Sequence, residues 1–328
     1  MVSGDRVGVL LLQLGSPDDP SVAAVRRYLR QFLSDQRVIE LPRWLWWPIL
    51  YGVVLVFRPK QSAEKYQHIW DPQTGFPLKH YTELQVRGLQ QRLGEKFLVR
   101  YAMRYGQPAT DEIVPAMIQQ GIDRLVIVPL YPQYSATTTA SALDALFITL
   151  TRQRIVPSLR IVPPFYEHAG YLEAECALVR ETMAKLDEPP EKIIFSFHGI
   201  PVRYAKAGDP YPQQVEHTVR LLAQRLGLAP EQYLLAYQSR FGREPWLQPY
   251  LDETLTTLPQ QGIRRVLVVT PGFTTDCLET IDEIGREMRG LFLQAGGTQL
   301  YRCPCLNDHP LWLDALRTIV LEESAGWI

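Results

Sequence analysis

Motifs in this 328-residue chain come in pairs and in one order. Leu14-Gly15-Ser16-Pro17 closes the apolar run VGVLLLQL as His198-Gly199-Ile200-Pro201 closes EKIIFSF, and Arg104-Tyr105-Gly106 is matched by Arg240-Phe241-Gly242. Gly121-Ile122 precedes LVIVP as Gly262-Ile263 precedes VLVVTP. Three matches in the same order argue for two units of one topology. The apolar runs, with FLVRYAMRY, YLLAYQSRF and RRVLVVT, are short, rich in branched side chains and lack polar alternation, which predicts strands buried on both faces. Segments of helical period such as SVAAVRRYLRQFL separate them. The expected fold is α/β, with two similar Rossmann-like domains, parallel sheets and an inter-domain cleft. Pro163-Pro164 marks the boundary, giving domains at 1–163 and 164–328, with the last helix free to pack back on the first domain.

The halves differ in one insertion. The interval from Pro17 to Gly121 is much longer than that from Pro201 to Gly262, and the extra chain, at about 40–80, contains the uncharged segment WLWWPILYGVVLVF, residues 44–57. This is short of the ~20 apolar residues that span a bilayer, and Pro48 and Gly52 interrupt it. Two interpretations stay open: a buried core helix, or an apolar lip that meets a greasy ligand or the lipid surface, where Trp44, Trp46 and Trp47 would suit the interface.

A net charge of −1 gives no reason to expect nucleic acid as a partner. The opening MVSGDR has no apolar signal core, so the expected location is the cytoplasm, peripheral to the inner face of a membrane if the lip meets lipid. Four cysteines argue against a disulfide framework, and because Cys176 and Cys277 are far in sequence from Cys303 and Cys305, no iron–sulfur cluster is expected. Phosphate-binding glycine loops and the GxSxG elbow are absent, which disfavours nucleotide use and serine hydrolysis.

In open α/β sheets ligands sit beyond the carboxyl ends of the strands. There the first half offers Leu14, Arg104, Tyr105, Tyr131 and the hydroxyl-rich YSATTTAS; the second offers His198, Arg240, Trp246 and the acidic segment Asp276 to Glu287. Imidazole with carboxylate suits a borderline divalent ion such as Fe(II). Within the acidic segment, Glu279, Glu283 and Glu287 recur every fourth residue, so a helix sets like charges on one face, at about 0.2–0.5 kcal/mol per pair. Asp276 and Glu279 have the spacing of a capping box on a solvated helix, but a cap leaves Glu283 and Glu287 unexplained.

The strings LLQLGSPDDP, RPKQSAEKY, MRYGQP, PLYPQYSATTTAS, FSFHGIPVRYAKAGDPY, YQSRFGREPWLQPY, PGFTTDCLETIDEIGRE and PCLNDHPLW, taken together and in order, resemble ferrochelatase, the family of lyases that insert ferrous iron into a porphyrin to make haem. The resemblance covers nearly the whole chain. It implies the chelatase arrangement of two Rossmann-like domains, His198 and Glu279 as catalytic and metal-binding residues, and an acidic helix, often of π type, over Asp276 to Glu287. The C-terminal extension that carries a cluster and a dimer contact in animal homologues is not expected here, and oligomeric state stays open. A methionine that faces the porphyrin in some members is Leu14 here.

For such a reaction the chain must bend a flat macrocycle, accept two pyrrole protons and strip water from Fe(II). His198 and Glu279 are expected at the centre, with Asp276, Glu283 and Glu287 as a track for protons or cations. Leu14, Trp246 and the WLWW lip would hold the apolar faces of the ring, Tyr131 would also bind the porphyrin, and Arg58, Arg104, Tyr105 and Ser135 would anchor its carboxylates. The expected substrate is protoporphyrin IX. A coproporphyrin or cobalt chelatase would use the same residues, and a non-catalytic haem or metal carrier is the alternative outside enzymes.

Overall fold

A computed structural model describes residues 6–242 and 244–328; residues 1–5, which open the segment read for an export signal, lie outside the described residues. The chain forms two compact units. One comprises the chain up to Tyr131, Ser135–Pro163 and Leu313–Ile328; the other comprises Pro132–Tyr134 and Pro164–Trp312. The C-terminal helix Pro310–Glu323 therefore ends in the first unit, where Asp314 accepts a hydrogen bond from Arg92 at 2.6 Å.

The first unit holds strands β1 (Val7–Gln13), β2 (Phe97–Met103), β3 (Arg124–Pro129) and β4 (Ser158–Ile161) in the order β2-β1-β3-β4; the second holds β5 (Lys192–His198), β6 (Tyr233–Gln238), β7 (Arg265–Val269) and β8 (Gln299–Arg302) in the order β6-β5-β7-β8. All pairings are parallel. Every residue of β1 is buried, as a strand covered on both faces requires. The edge strands β4 and β8 have four residues each and are only partly covered, too short and too mixed for the sequence pattern to reveal. Helix Val22–Leu33 starts where Ser21 Oγ accepts the Ala24 amide at 3.2 Å, and it turns Ala24, Val25, Tyr28, Leu29 and Leu33 inward.

The strand register corrects one of the sequence matches. In β1 and β2 Gln13 lies opposite Met103, so Leu14 is level with Arg104; in β5 and β6 His198 lies opposite Gln238. If Leu14 corresponds to His198, then Arg104 corresponds to Gln238 and not to Arg240. The Arg-aromatic-Gly strings agree in letters but are offset along the strand. Gly15 is needed because the backbone turns there at φ +113°, with the Tyr105 carbonyl 1.8 Å from where a Cβ would stand. Each unit also places a π-helical segment after its third strand, Ala136–Ala140 in the first and Glu279–Met288 in the second.

The insertion forms helix Arg43–Ile49, a π turn at Leu50–Val54 that takes in Gly52, and helix Leu55–Ile69. The buried-core interpretation of residues 44–57 is overturned, since only Trp46, Leu50 and Leu55 are buried. Trp46 is pinned by its indole N–H donating to the Leu33 carbonyl at 2.7 Å. Trp44 is 78% exposed and Phe57 68%, and Leu45, Trp47, Ile49, Tyr51, Val53 and Val56 also face outward. No helix among the described residues is long and apolar enough to cross a membrane.

Candidate active site

The second unit gathers its polar side chains beyond the ends of β5 and β6. His198 is the last residue of β5, and its Nδ1 lies 2.7 Å from the Gly199 carbonyl. A carbonyl can only accept, so Nδ1 carries a proton, and in the neutral form of the ring the lone pair lies on Nε2. Tyr211 fixes the backbone beneath by donating to the His198 carbonyl at 3.0 Å. The Trp246 ring stands 6.4 Å from the imidazole, its own N–H donating to the Phe241 carbonyl at 2.8 Å. Gly199 makes room for this arrangement: a Cβ there would lie 3.2 Å from both the Trp246 ring and the Gln238 carbonyl.

Glu279, Glu283 and Glu287 lie on the π helix, whose wider turn keeps residues four apart close to one line. All three are half-buried. Glu283 is held most closely: Ser239 Oγ donates to its Oε2 at 2.5 Å and Gln238 Nε2 approaches the same oxygen at 3.4 Å. Burial raises the Glu283 pKa, and repulsion from Glu279 adds to this; the Ser239 hydroxyl and His198 oppose the rise without cancelling it. Gln238 also donates to the Glu279 carbonyl at 2.9 Å, tying the helix to the end of β6. Glu287 accepts from Arg286 at 3.2 Å, and the same guanidinium grips the buried Asp282 at 2.6 and 2.9 Å.

Asp276 does not serve as the cap that its spacing from Glu279 suggests. It is 3% exposed and accepts from Arg302 at 2.6 Å, Thr280 at 2.8 Å and Asn307 at 2.8 Å, with the Cys305 amide at 3.4 Å. A buried carboxylate is tolerated only when its oxygens are so occupied. No three His, Cys, Asp or Glu side chains among the described residues converge closely enough to hold a metal ion by themselves.

In the first unit, Arg104 and Tyr105 turn toward an internal carboxylate. Arg104 is ion-paired with Asp35 and donates to Ser141 Oγ at 2.8 Å; Tyr105 and Ser141 donate to Asp35 at 2.8 and 2.5 Å. Burial alone would raise the Asp35 pKa, but the Ser141 hydroxyl, Arg104 and Tyr105 together hold it below the ordinary carboxylate range. Tyr131 sits in the core among Leu12, Ala142 and Leu146, and its buried hydroxyl has no hydrogen-bond partner. Leu14 packs half-buried on that core. Ser135 caps the π turn by accepting the Thr137 amide at 3.3 Å. Arg58 lies on helix Leu55–Ile69, where burial lowers its pKa.

A family model described as Ferrochelatase matches residues 6–324. The chain belongs to the ferrochelatase family. It is 46% identical over 327 residues to the ferrochelatase of Marinobacter nauticus, covering 98% of this chain and 88% of that one. It is 48% identical over 326 residues to the Methylibium petroleiphilum ferrochelatase, with 98% and 89% covered. The Brucella ovis ferrochelatase is 47% identical over 326 residues, with 98% and 93% covered. Among solved structures, SirB from Bacillus subtilis with Fe3+ is similar with a TM-score of 0.59 and 15% identity, over 98% of this chain and 97% of that one, a likeness of fold.

Within this ferrochelatase-family site, sequence reasoning alone does not reach Gln238, Ser239, Asp35 or Ser141. Ser239 carries one signal, a left-handed φ of +66° on a non-glycine residue, but that is visible only in three dimensions.

Proposed function

We propose that this protein is a lyase that inserts ferrous iron into a porphyrin, protoporphyrin IX, to make haem, with His198 and Glu279 as its catalytic and metal-contacting residues. The observation that carries this is an imidazole at the end of β5 whose Nδ1 is engaged by the Gly199 carbonyl, close to a row of carboxylates on one helix. Nε2 can accept a pyrrole proton, and Glu279 can take a second proton or a ligand position on the arriving iron. Two side chains are too few to retain the ion, which suits iron as substrate and not as a resident centre. Glu283 and Glu287 carry protons or cations along the helix. Asp276 anchors the start of that helix, since its oxygens are already taken by Arg302, Thr280 and Asn307. The porphyrin contacts expected of Leu14, Arg58, Arg104, Tyr105, Tyr131, Ser135 and Trp246 belong to this proposal, Arg104 and Tyr105 acting through the Asp35 cluster.

A haem or metal carrier needs firm ligation and no row of carboxylates, so the row favours an enzyme. No iron–sulfur cluster belongs to this reading: Cys303 and Cys305 lie 3.3 and 3.6 Å from the hydroxyls of Thr182 and Thr270, where they pack as buried thiols. Mixing the protein anaerobically with Fe(II) and free porphyrin should convert the free-base spectrum to that of haem, from a preparation without stoichiometric acid-labile sulfide. A rate equal to the protein-free control sinks the assignment; coproporphyrin and Co(II), run alongside, decide the rival substrates.

The exposed apolar lip is proposed to rest on a membrane surface, which would make the protein cytoplasmic and peripheral. Co-sedimentation with anionic vesicles should fall at least several-fold in a Trp44→Ser, Phe57→Ser double variant, because the two most exposed rings leave the interface. Equal sedimentation of variant and parent would remove lipid as the partner of this segment.

A further inference from the structure

Equivalent positions in the two units do equivalent work. Beyond β2, Arg104 and Tyr105 hold the carboxylate of Asp35; at the matching level of the second unit, the end of β6, Gln238 and Ser239 hold that of Glu283. In the first unit the held carboxylate is buried and closed off by four donors, Arg104, Tyr105, Ser141 and the Arg37 amide. In the second it lies on the acidic row, with His198 at the adjacent strand end.

We infer that Ser239 is a positioning residue for the chelation step, fixing the Glu283 carboxylate through a hydroxyl that the backbone is strained to deliver. The inference rests on the proposed iron insertion. Ser239 has φ +66°, a conformation that is strained for a residue with a Cβ and that glycine would adopt freely. A serine at such a point has a use for its side chain, and that side chain makes one short bond, 2.5 Å to Glu283 Oε2. Gln238, 3% exposed, supports it from the preceding position: it accepts from Ser196 at 2.7 Å and donates to the Glu279 carbonyl and toward Glu283. Rotation of the Glu283 carboxylate about its last bond is thereby limited to one orientation. The neighbouring cations do not compete for it, since Arg302 is engaged by Asp276 and Arg286 by Asp282 and Glu287.

Two substitutions separate hydroxyl from backbone. Ser239→Gly relieves the strain, so its melting temperature should equal or exceed the parent's, while kcat should fall about tenfold at unchanged KM for porphyrin, the scale of one lost hydrogen bond to a charged group. Ser239→Thr keeps the hydroxyl on a residue less suited to positive φ, so it should melt lower yet recover kcat to within about twofold. Parental kcat in Ser239→Gly, or Ser239→Thr as slow as Ser239→Gly, overturns the inference. A third measurement does not depend on activity. The urea midpoints of Ser239→Gly, Glu283→Ala and the double variant should be non-additive, because the two side chains are in contact. If the parent protein inserts no iron, the proposed function fails, and strictly additive midpoints would separately remove Ser239 from the support of Glu283.

Discussion

A His198→Ala variant is expected to lose turnover by ~10²–10⁴-fold while binding porphyrin within a few-fold of the parent, the range for removing a positioned general base. The expectation follows from the tautomer. With Nδ1–H given to the Gly199 carbonyl, Nε2 is the single basic nitrogen at the end of β5. The ring adds little to the hold on a macrocycle, because the apolar contact there comes from Trp246, which is anchored independently through Phe241. Truncation should cost no more than about 1–3 kcal/mol of stability, since the group that loses its partner is one carbonyl, that of the buried Gly199. Anaerobic initial rates and porphyrin fluorescence titrations on the same preparation check both halves. Turnover above a tenth of the parental value would exclude His198 as the base.

Glu279→Gln is expected to lower turnover by at least ~10²-fold with melting unchanged or slightly raised. Had Glu279 been the partner in a capping box, glutamine would have served equally and nothing would change. The structure removes that role, because the Asp276 side chain is spent on Arg302, Thr280 and Asn307. What the substitution does remove is a charge beside Glu283, whose pKa is already raised by burial and by that neighbour. Relieving the repulsion should offset the small loss of polarity. Glu283→Gln should follow with a smaller effect on rate, and Glu287→Gln with the smallest, since Glu287 is paired with Arg286 and a water can replace an outer member of the row. Parental activity in Glu279→Gln with a lowered melting temperature would mean that the row is structural.

The halves of this fold are legible because buried parallel strands have to be continuous apolar runs, and because duplicated turns keep their glycines. β1, β2, β3, β5, β6 and β7 can be read in this way. β4 and β8 cannot: four half-covered residues carry no period. His198 and the glutamates stand out as unusual residues after a strand and along a helix, so their place in the chain is enough to make them candidates. Ser239, Gln238, Asp35 and Ser141 are ordinary residues whose importance lies in what they touch across long stretches of sequence. Arg240 misled for the opposite reason: its string resembles that of Arg104, while its side chain is held on the surface by Asp252 and Glu253. The lip was ambiguous because burial of an isolated apolar helix depends on what lies over it, which no local pattern encodes.

The π winding of Glu279–Met288 has a further consequence for how this stretch can vary. An α-helix accommodates one residue fewer per turn only by rotating everything downstream, whereas a π segment already holds the additional residue. Deletion of a single position, Gly285 for instance, removes that additional residue, so one turn can return to ordinary α winding while the chain downstream keeps nearly its present phase. The same loss within the α-helix Leu55–Ile69 would rotate everything after it by about 100°. A one-codon loss is therefore easier for the fold to absorb in this element than in its α-helical neighbours, and what it alters is the spacing of the carboxylates.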